Sequence, residues 1–157
     1  MSILIVDDSA DDRLLLQSIL SAAGYDHLSV ADSAAAAFRL LGLDDGKPDA
    51  PFRVDLILMD IVMPEMGGIE ACRQIKAVER FRDTPIMMVT AKTDPVDLQL
   101  AFAAGALDYI VKPINKIELL TRIRSVLRLV HESDRRRARE LELLDVMRQL
   151  QEANQML

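Results

Sequence analysis

Leu56-Ile57-Leu58-Met59-Asp60-Ile61-Val62-Met63-Pro64 is the stretch that decides the fold. Its four leading apolar residues have the length and character of a strand buried on both faces. The run stops in a carboxylate, and Pro64 and Gly67-Gly68 then break the chain into a loop. An acid at the carboxyl end of a buried parallel strand stands where open α/β sheets place their ligands. Asp60 is therefore the candidate reactive group, and the rest of the chain is read for what it brings there.

Upstream, Ile3-Leu4-Ile5-Val6 reads as a first strand ending in Asp7-Asp8-Ser9. Ser9 is placed to cap a helix from about Ala10 to Ala23. Leu14, Leu15, Ile19 and Leu20 supply its apolar stripe, and Gly24 ends it. His27 to Val30 is a weak second strand, and Ser33 caps an alanine-rich helix from Ala34 to about Leu43. Gly42 to Arg53, full of Asp, Gly and Pro, reads as a long exposed loop. Downstream come a helix over Gly68 to Val78 and a strand over Ile86 to Thr90. A fourth helix follows, capped by Asp94 or Thr93, with Pro95 in its first turn and Gly105 at its end. The fifth strand is Asp108 to Lys112, followed by Pro113. Strands alternate with helices five times, which predicts a doubly wound, five-stranded parallel sheet with helices on both faces.

From Lys116 to Leu157 there are 42 residues without Gly or Pro. As a helix they would run about 63 Å, too long to lie against a domain of this size. Residues 132–140 are almost wholly polar. Beyond them Leu143, Met147, Leu150, Asn154 and Leu157 repeat at 4-3-4-3 spacing, the pattern of a coiled-coil seam, with Asn154 the kind of core residue that fixes register in a two-stranded state. The chain is accordingly divided into a domain over residues 1–130 and an extension over 131–157 that dimerises. The run Arg135-Arg136-Arg137-Ala138-Arg139 is read as a solvated helix face.

Composition narrows the class. A net charge of −6 argues against nucleic-acid binding by the body of the protein. A single cysteine, Cys72, excludes an internal disulfide and fits a reducing compartment. No apolar run approaches the roughly 18 residues of a membrane span, and Met1-Ser2-Ile3 enters structure at once, with no room for a signal peptide. The expected location is cytoplasmic, with no membrane partner.

The predicted strand ends bring Asp7-Asp8, Asp60, Thr90 and Lys112 to one edge. Carboxylates about 4 Å apart cost roughly 4 kcal/mol per pair at an effective dielectric near 20. Protonation or a bound cation relieves this, and an oxygen-only ligand set favours Mg2+. Carboxylates beside Mg2+, a lysine and a hydroxyl suit phosphoryl transfer, with Asp60 as nucleophile forming an acyl phosphate. No GxxxxGK[ST] loop is present, so a nucleotide is not the obvious donor.

At this point the chain closely resembles the receiver domain of two-component response regulators. The matching residues are Asp7-Asp8, the run Asp60-x-x-Met63-Pro64-x-x-x-Gly68, Thr90-Ala91, and Tyr109-x-x-Lys112-Pro113, with 30 residues from Asp60 to Thr90 and 22 from Thr90 to Lys112. Gly67 stands where the family often has Asp. The resemblance implies a flavodoxin-like sheet of order 2-1-3-4-5 and a phosphoacceptor Asp60 served by a histidine kinase or phosphotransfer protein. It also implies Mg2+ held by Asp8, Asp60 and the Val62 carbonyl, with Asp7 acting through water. Thr90 and Lys112 would sense the phosphoryl group, Tyr109 would turn inward on activation, and Lys112-Pro113 would be cis. Such a protein is no enzyme in the ordinary sense, since it catalyses only its own phosphorylation and dephosphorylation. The signal would pass through the fourth helix, fifth strand and fifth helix to the helical stalk, whose polar end resembles those leading into diguanylate cyclase domains. Two other readings compete: a Mg2+-dependent phosphohydrolase with Asp60 as nucleophile, and a non-catalytic coiled-coil adaptor.

Overall fold

Five parallel strands alternate with five helices in the computed structural model, which describes residues 1–43, 53–91 and 94–156. The strands are β1 (Ser2–Val6), β2 (His27–Ala31), β3 (Leu56–Met59), β4 (Ile86–Thr90) and β5 (Asp108–Val111). The helices are α1 (Ala10–Ala22), α2 (Ala34–Leu41), α3 (Gly68–Ala77), α4 (Pro95–Ala103) and α5 (Lys116–Gln155). The strand order is 2-1-3-4-5 with every pairing parallel, the flavodoxin-like order expected above. Most of the long loop predicted over residues 42–53, together with Thr93 and Leu157, lies outside the described residues.

The three inner strands explain why their sequences read as unbroken apolar runs. Ile3 to Val6, all of β3 and all of β4 are buried, because helices cover both faces of a parallel sheet. The edge strands β2 and β5 are only partly buried, which is why β2 gave the weakest signal. Met59, Met63, Met87 and Met88 are core residues.

Local chemistry sets the helix ends. Ser9 and Ser33 accept hydrogen bonds from the Asp12 and Ala36 backbone N–H groups, and Asp94 accepts one from Val96. Gly42 closes α2 at φ 73°, a left-handed conformation that suits glycine. Asn115, not singled out from the sequence, caps α5 by accepting from the Glu118 N–H at 3.0 Å.

One expectation fails in detail. The buried residues of α1 are Leu16 and Leu20, whereas Leu14 and Leu15 are 65% and 44% exposed. Leu14-Leu15-Leu16 leaves the helical phase open by one position in either direction, and only the Leu16–Leu20 pair, one turn apart, meets the core.

The chain forms two compact units, Met1–Arg122 and Ile123–Leu157. The second is helical through Gln155, and Leu141, Leu143, Leu144, Val146, Met147 and Leu150 are exposed on it.

Candidate functional site

Strand register brings the site together. Val6 lies level with Met59, Met59 with Met88, and Thr90 with Val111. The residues at or just past these positions are Asp7, Asp60, Thr90 and Lys112, so four distant segments end at one edge. Hydrogen bonds continue one step beyond the strands. The Asp60 N–H donates to the Val6 carbonyl at 2.9 Å, Asp7 N–H to Ala31 at 3.1 Å, and Lys112 N–H to Thr90 at 2.9 Å. The backbones of Asp7, Asp60 and Lys112 are thus held by the same kind of hydrogen bond as the sheet.

Gly68 fixes the loop after Asp60. Its N–H donates to the Ile61 carbonyl at 2.8 Å. A Cβ at this position would lie 2.0 Å from the Asp60 carbonyl oxygen, so the start of α3 can approach the Asp60 backbone only without a side chain.

Lys112 is the hub. Its Nζ donates to Asp7 Oδ2 at 2.8 Å, Asp12 Oδ2 at 2.8 Å and Asp60 Oδ2 at 3.0 Å, which uses all three of its protons. The second oxygens are also engaged: Asp60 Oδ1 accepts from the Val62 N–H at 3.1 Å, and Asp7 Oδ1 from the Ser9 N–H at 2.9 Å. Arg13 donates to the Asp7 carbonyl at 2.7 Å. Asp7, Asp60 and Thr90 are buried, while Asp8 is exposed at the rim. The Lys112–Pro113 peptide is cis. Tyr109 is half-buried and meets Phe102 of α4 edge to face, ring centroids 6.0 Å apart.

The electrostatics show a site short of positive charge. Burial pushes the Asp7 carboxyl above its usual range despite the opposing hydrogen bonds from Lys112 and Ser9. Burial alone would lower Lys112, but its bonds to Asp12, Asp7 and Asp60 outweigh that and hold the ammonium more tightly protonated than an ordinary lysine. Carboxylate oxygens of Asp7, Asp8 and Asp60 lie within 4.8 Å of one another. Three acids at that spacing, one buried at an energetic cost, form a donor set that fits a hard, oxygen-seeking divalent ion.

The structure therefore gathers Asp7, Asp8, Asp60, Thr90 and Lys112 at one edge, with Val62 in the adjoining loop and Tyr109 three residues before Lys112 on β5. It adds Asp12 and Arg13, which the sequence reading missed. The spacing Ser9-x-x-Asp12 carried a signal, since an acid three residues after a serine cap faces back toward the helix start.

An open sheet of this order with an acidic, lysine-tied edge at the ends of β1 and β3 defines a flavodoxin-like α/β protein, and the acidic cluster lies at the switch point where such sheets place their ligands. The chain belongs to the response regulator receiver domain family, which it matches over residues 3–124. It is 38% identical over 144 residues to the DNA-binding response regulator MtrA of Mycolicibacterium paratuberculosis, covering 92% of this chain and 57% of the relative. It is 39% identical over 116 residues to the two-component response regulator ORR1 of Oryza sativa, covering 71% of this chain and 49% of that protein. The chain thus spans about half the length of these curated relatives. Among solved structures it resembles the Vibrio cholerae chemotaxis protein CheY4, with TM-score 0.68, 32% identity, and coverage of 80% of this chain and 97% of the other. It also resembles the receiver domain of a Syntrophus aciditrophicus histidine kinase, with TM-score 0.70, 33% identity, and coverage of 81% and 89%. No helix among the described residues is long and apolar enough to cross a membrane.

Proposed function

We propose that Asp60 is the phosphoacceptor of a two-component signalling receiver, supplied by a histidine kinase or phosphotransfer protein in the cytoplasm. The observation that carries this is the Lys112 ammonium 3.0 Å from Asp60 Oδ2 inside an otherwise acidic edge. In the transfer, the phosphorus–nitrogen bond to the donor histidine breaks, its electron pair stays on the imidazole, and an Asp60 oxygen bonds to phosphorus. Lys112 draws the phosphoryl oxygens toward the sheet, and the Thr90 hydroxyl donates a hydrogen bond to them. Mg2+ would be held by Asp8, Asp60 and the Val62 carbonyl, with Asp7 acting through water, and when bound it supplies charge neutralisation of the phosphoryl oxygens. Tyr109 is the switch residue, leaving its edge contact with Phe102 as Thr90 is drawn toward the phosphoryl group.

The extension over residues 131–157 is proposed to pair two copies of the chain along Leu143, Met147, Leu150 and Asn154. An output unit receives the signal. The stalk-like sequence suits a diguanylate cyclase. A DNA-binding output is the second reading, favoured by the similarity to the DNA-binding response regulator MtrA; DNA contact would then belong to that output unit and not to the acidic receiver.

Incubation with acetyl phosphate and Mg2+ tests the core of the proposal. One Mg2+-dependent adduct per chain, absent from Asp60→Asn, is expected. Many rounds of hydrolysis of a generic phosphate ester would instead mark a phosphohydrolase. An Asp60→Asn protein indistinguishable from wild type would favour the adaptor reading.

A further inference from the structure

We propose that Asp12 is a positioning residue for Lys112, an anchor on α1 that competes with the phosphoryl group for the ammonium and so holds down the affinity of the site for phosphoryl-like anions. The proposal deepens, and rests on, the reading of Asp60 as phosphoacceptor.

Asp12 occupies the third position of α1 after Ser9, where an acid commonly turns back to accept the N–H of the capping residue. Here that N–H is already bonded to Asp7 Oδ1 at 2.9 Å. The Asp12 backbone N–H still donates to Ser9 Oγ at 3.3 Å, so the main chain is capped while the carboxylate is released to point elsewhere. It meets Lys112 Nζ at 2.8 Å, as short as the bond from Lys112 to Asp7.

An ammonium has three protons, and all three are committed to carboxylates. A phosphoryl group on Asp60 adds strong acceptor oxygens but no new donor, so Lys112 must release a partner to bind it. Asp7 belongs to the proposed metal set, and Asp60 carries the phosphoryl group itself. Asp12 has neither duty, yet it keeps its claim on the lysine from outside the acceptor cluster. Its side chain is 33% exposed, so it can swing to water at modest cost when the lysine leaves. The competition is therefore graded and does not lock the site.

The test is a beryllofluoride titration at saturating Mg2+, followed by fluorine NMR, on wild type, Asp12→Asn, Asp12→Glu, Asp11→Asn and Asp60→Asn. Asp12→Asn is expected to tighten binding about tenfold, the weight of one charge-assisted hydrogen bond. Asp12→Glu restores the charge and should return affinity toward wild type. Asp11→Asn removes an equal charge from the neighbouring, exposed position and should change affinity by less than about twofold, as expected of an exposed charge in water. Equal effects from Asp11→Asn and Asp12→Asn would reduce the result to general electrostatics and overturn the proposal. So would an Asp12→Asn titration superimposable on wild type, while Asp60→Asn still abolished binding. Wild type failing to bind, or Asp60→Asn binding normally, would instead overturn the phosphoacceptor reading and this inference with it.

Discussion

The carboxyl edge of the sheet and the far end of α5 put opposite kinds of residue in opposite places. At the edge, charged groups are buried: Asp7, Asp60 and the largely enclosed Lys112 sit at the ends of apolar strands. On the helix, apolar groups are exposed: Leu143, Leu144 and Leu150 are each 61% accessible and Met147 57%. A buried charge is tolerated only when paired, so the edge is held by partners within the chain. A contiguous apolar stripe on a helix gains stability only from a partner, and the stripe over residues 143–154 is proposed to find it in a second copy. The edge thus has its charges paired within the chain, whereas the apolar side chains of the helix are exposed.

The largest expected effect separates the two directly. Met147→Asp combined with Leu150→Asp should abolish dimerisation, read by light scattering, while beryllofluoride binding at Asp60 stays as in wild type. A variant that stayed dimeric would remove the stalk from the account. Gly68→Ala acts at the edge alone. The clash with the Asp60 carbonyl should cost about 3 kcal/mol, the upper range for a forced overpacking, seen as a lower urea midpoint together with weaker phosphorylation. An unchanged midpoint would mean that the loop has slack which the 2.0 Å approach denies.

Asp7→Asn should move stability the other way. The Asp7 carboxyl is raised above 3.8 by burial, so it adds to stability below pH 3.8 and loses that contribution as pH climbs through its folded value. At neutral pH without Mg2+ the asparagine protein should melt higher than wild type. The gain should shrink toward zero in acid and be cancelled when Mg2+ is added to wild type. A lower melting temperature at pH 7 would show that the bond to Lys112 outweighs desolvation.

The smallest effect at neutral pH concerns Cys72, buried in α3, where burial pushes the thiol up to about 11 from 9.0. Native protein should resist iodoacetamide at pH 8. Its stability should be unaffected by this group below pH 9 and fall by about 1.4 kcal/mol per pH unit between 9 and 11, a decline missing from Cys72→Ala. Rapid native alkylation at pH 8 would contradict the packing.

How legible each region was follows from the forces that shape it. Leu56 to Asp60 could be read because a buried parallel strand ending in an acid leaves few alternatives, and Ile86 to Thr90 repeats the pattern. Strand order came from family resemblance, since pairing depends on contacts far apart in the chain. Asp12 was missed because its bond to Lys112 joins segments 100 residues apart in the chain. Leu14 and Leu15 were misassigned because three leucines in succession carry no phase. The 4-3 spacing of Leu143, Met147 and Leu150, all exposed on α5, could be read from the sequence because periodicity is local.

The most direct measurement is to locate the phosphoryl group by borohydride reduction and peptide mass mapping after treatment with acetyl phosphate and Mg2+. A single acyl phosphate on Asp60 is expected, absent without Mg2+ and absent from Asp60→Asn. A modification mapped to any other residue, or one that persists in Asp60→Asn, would contradict it.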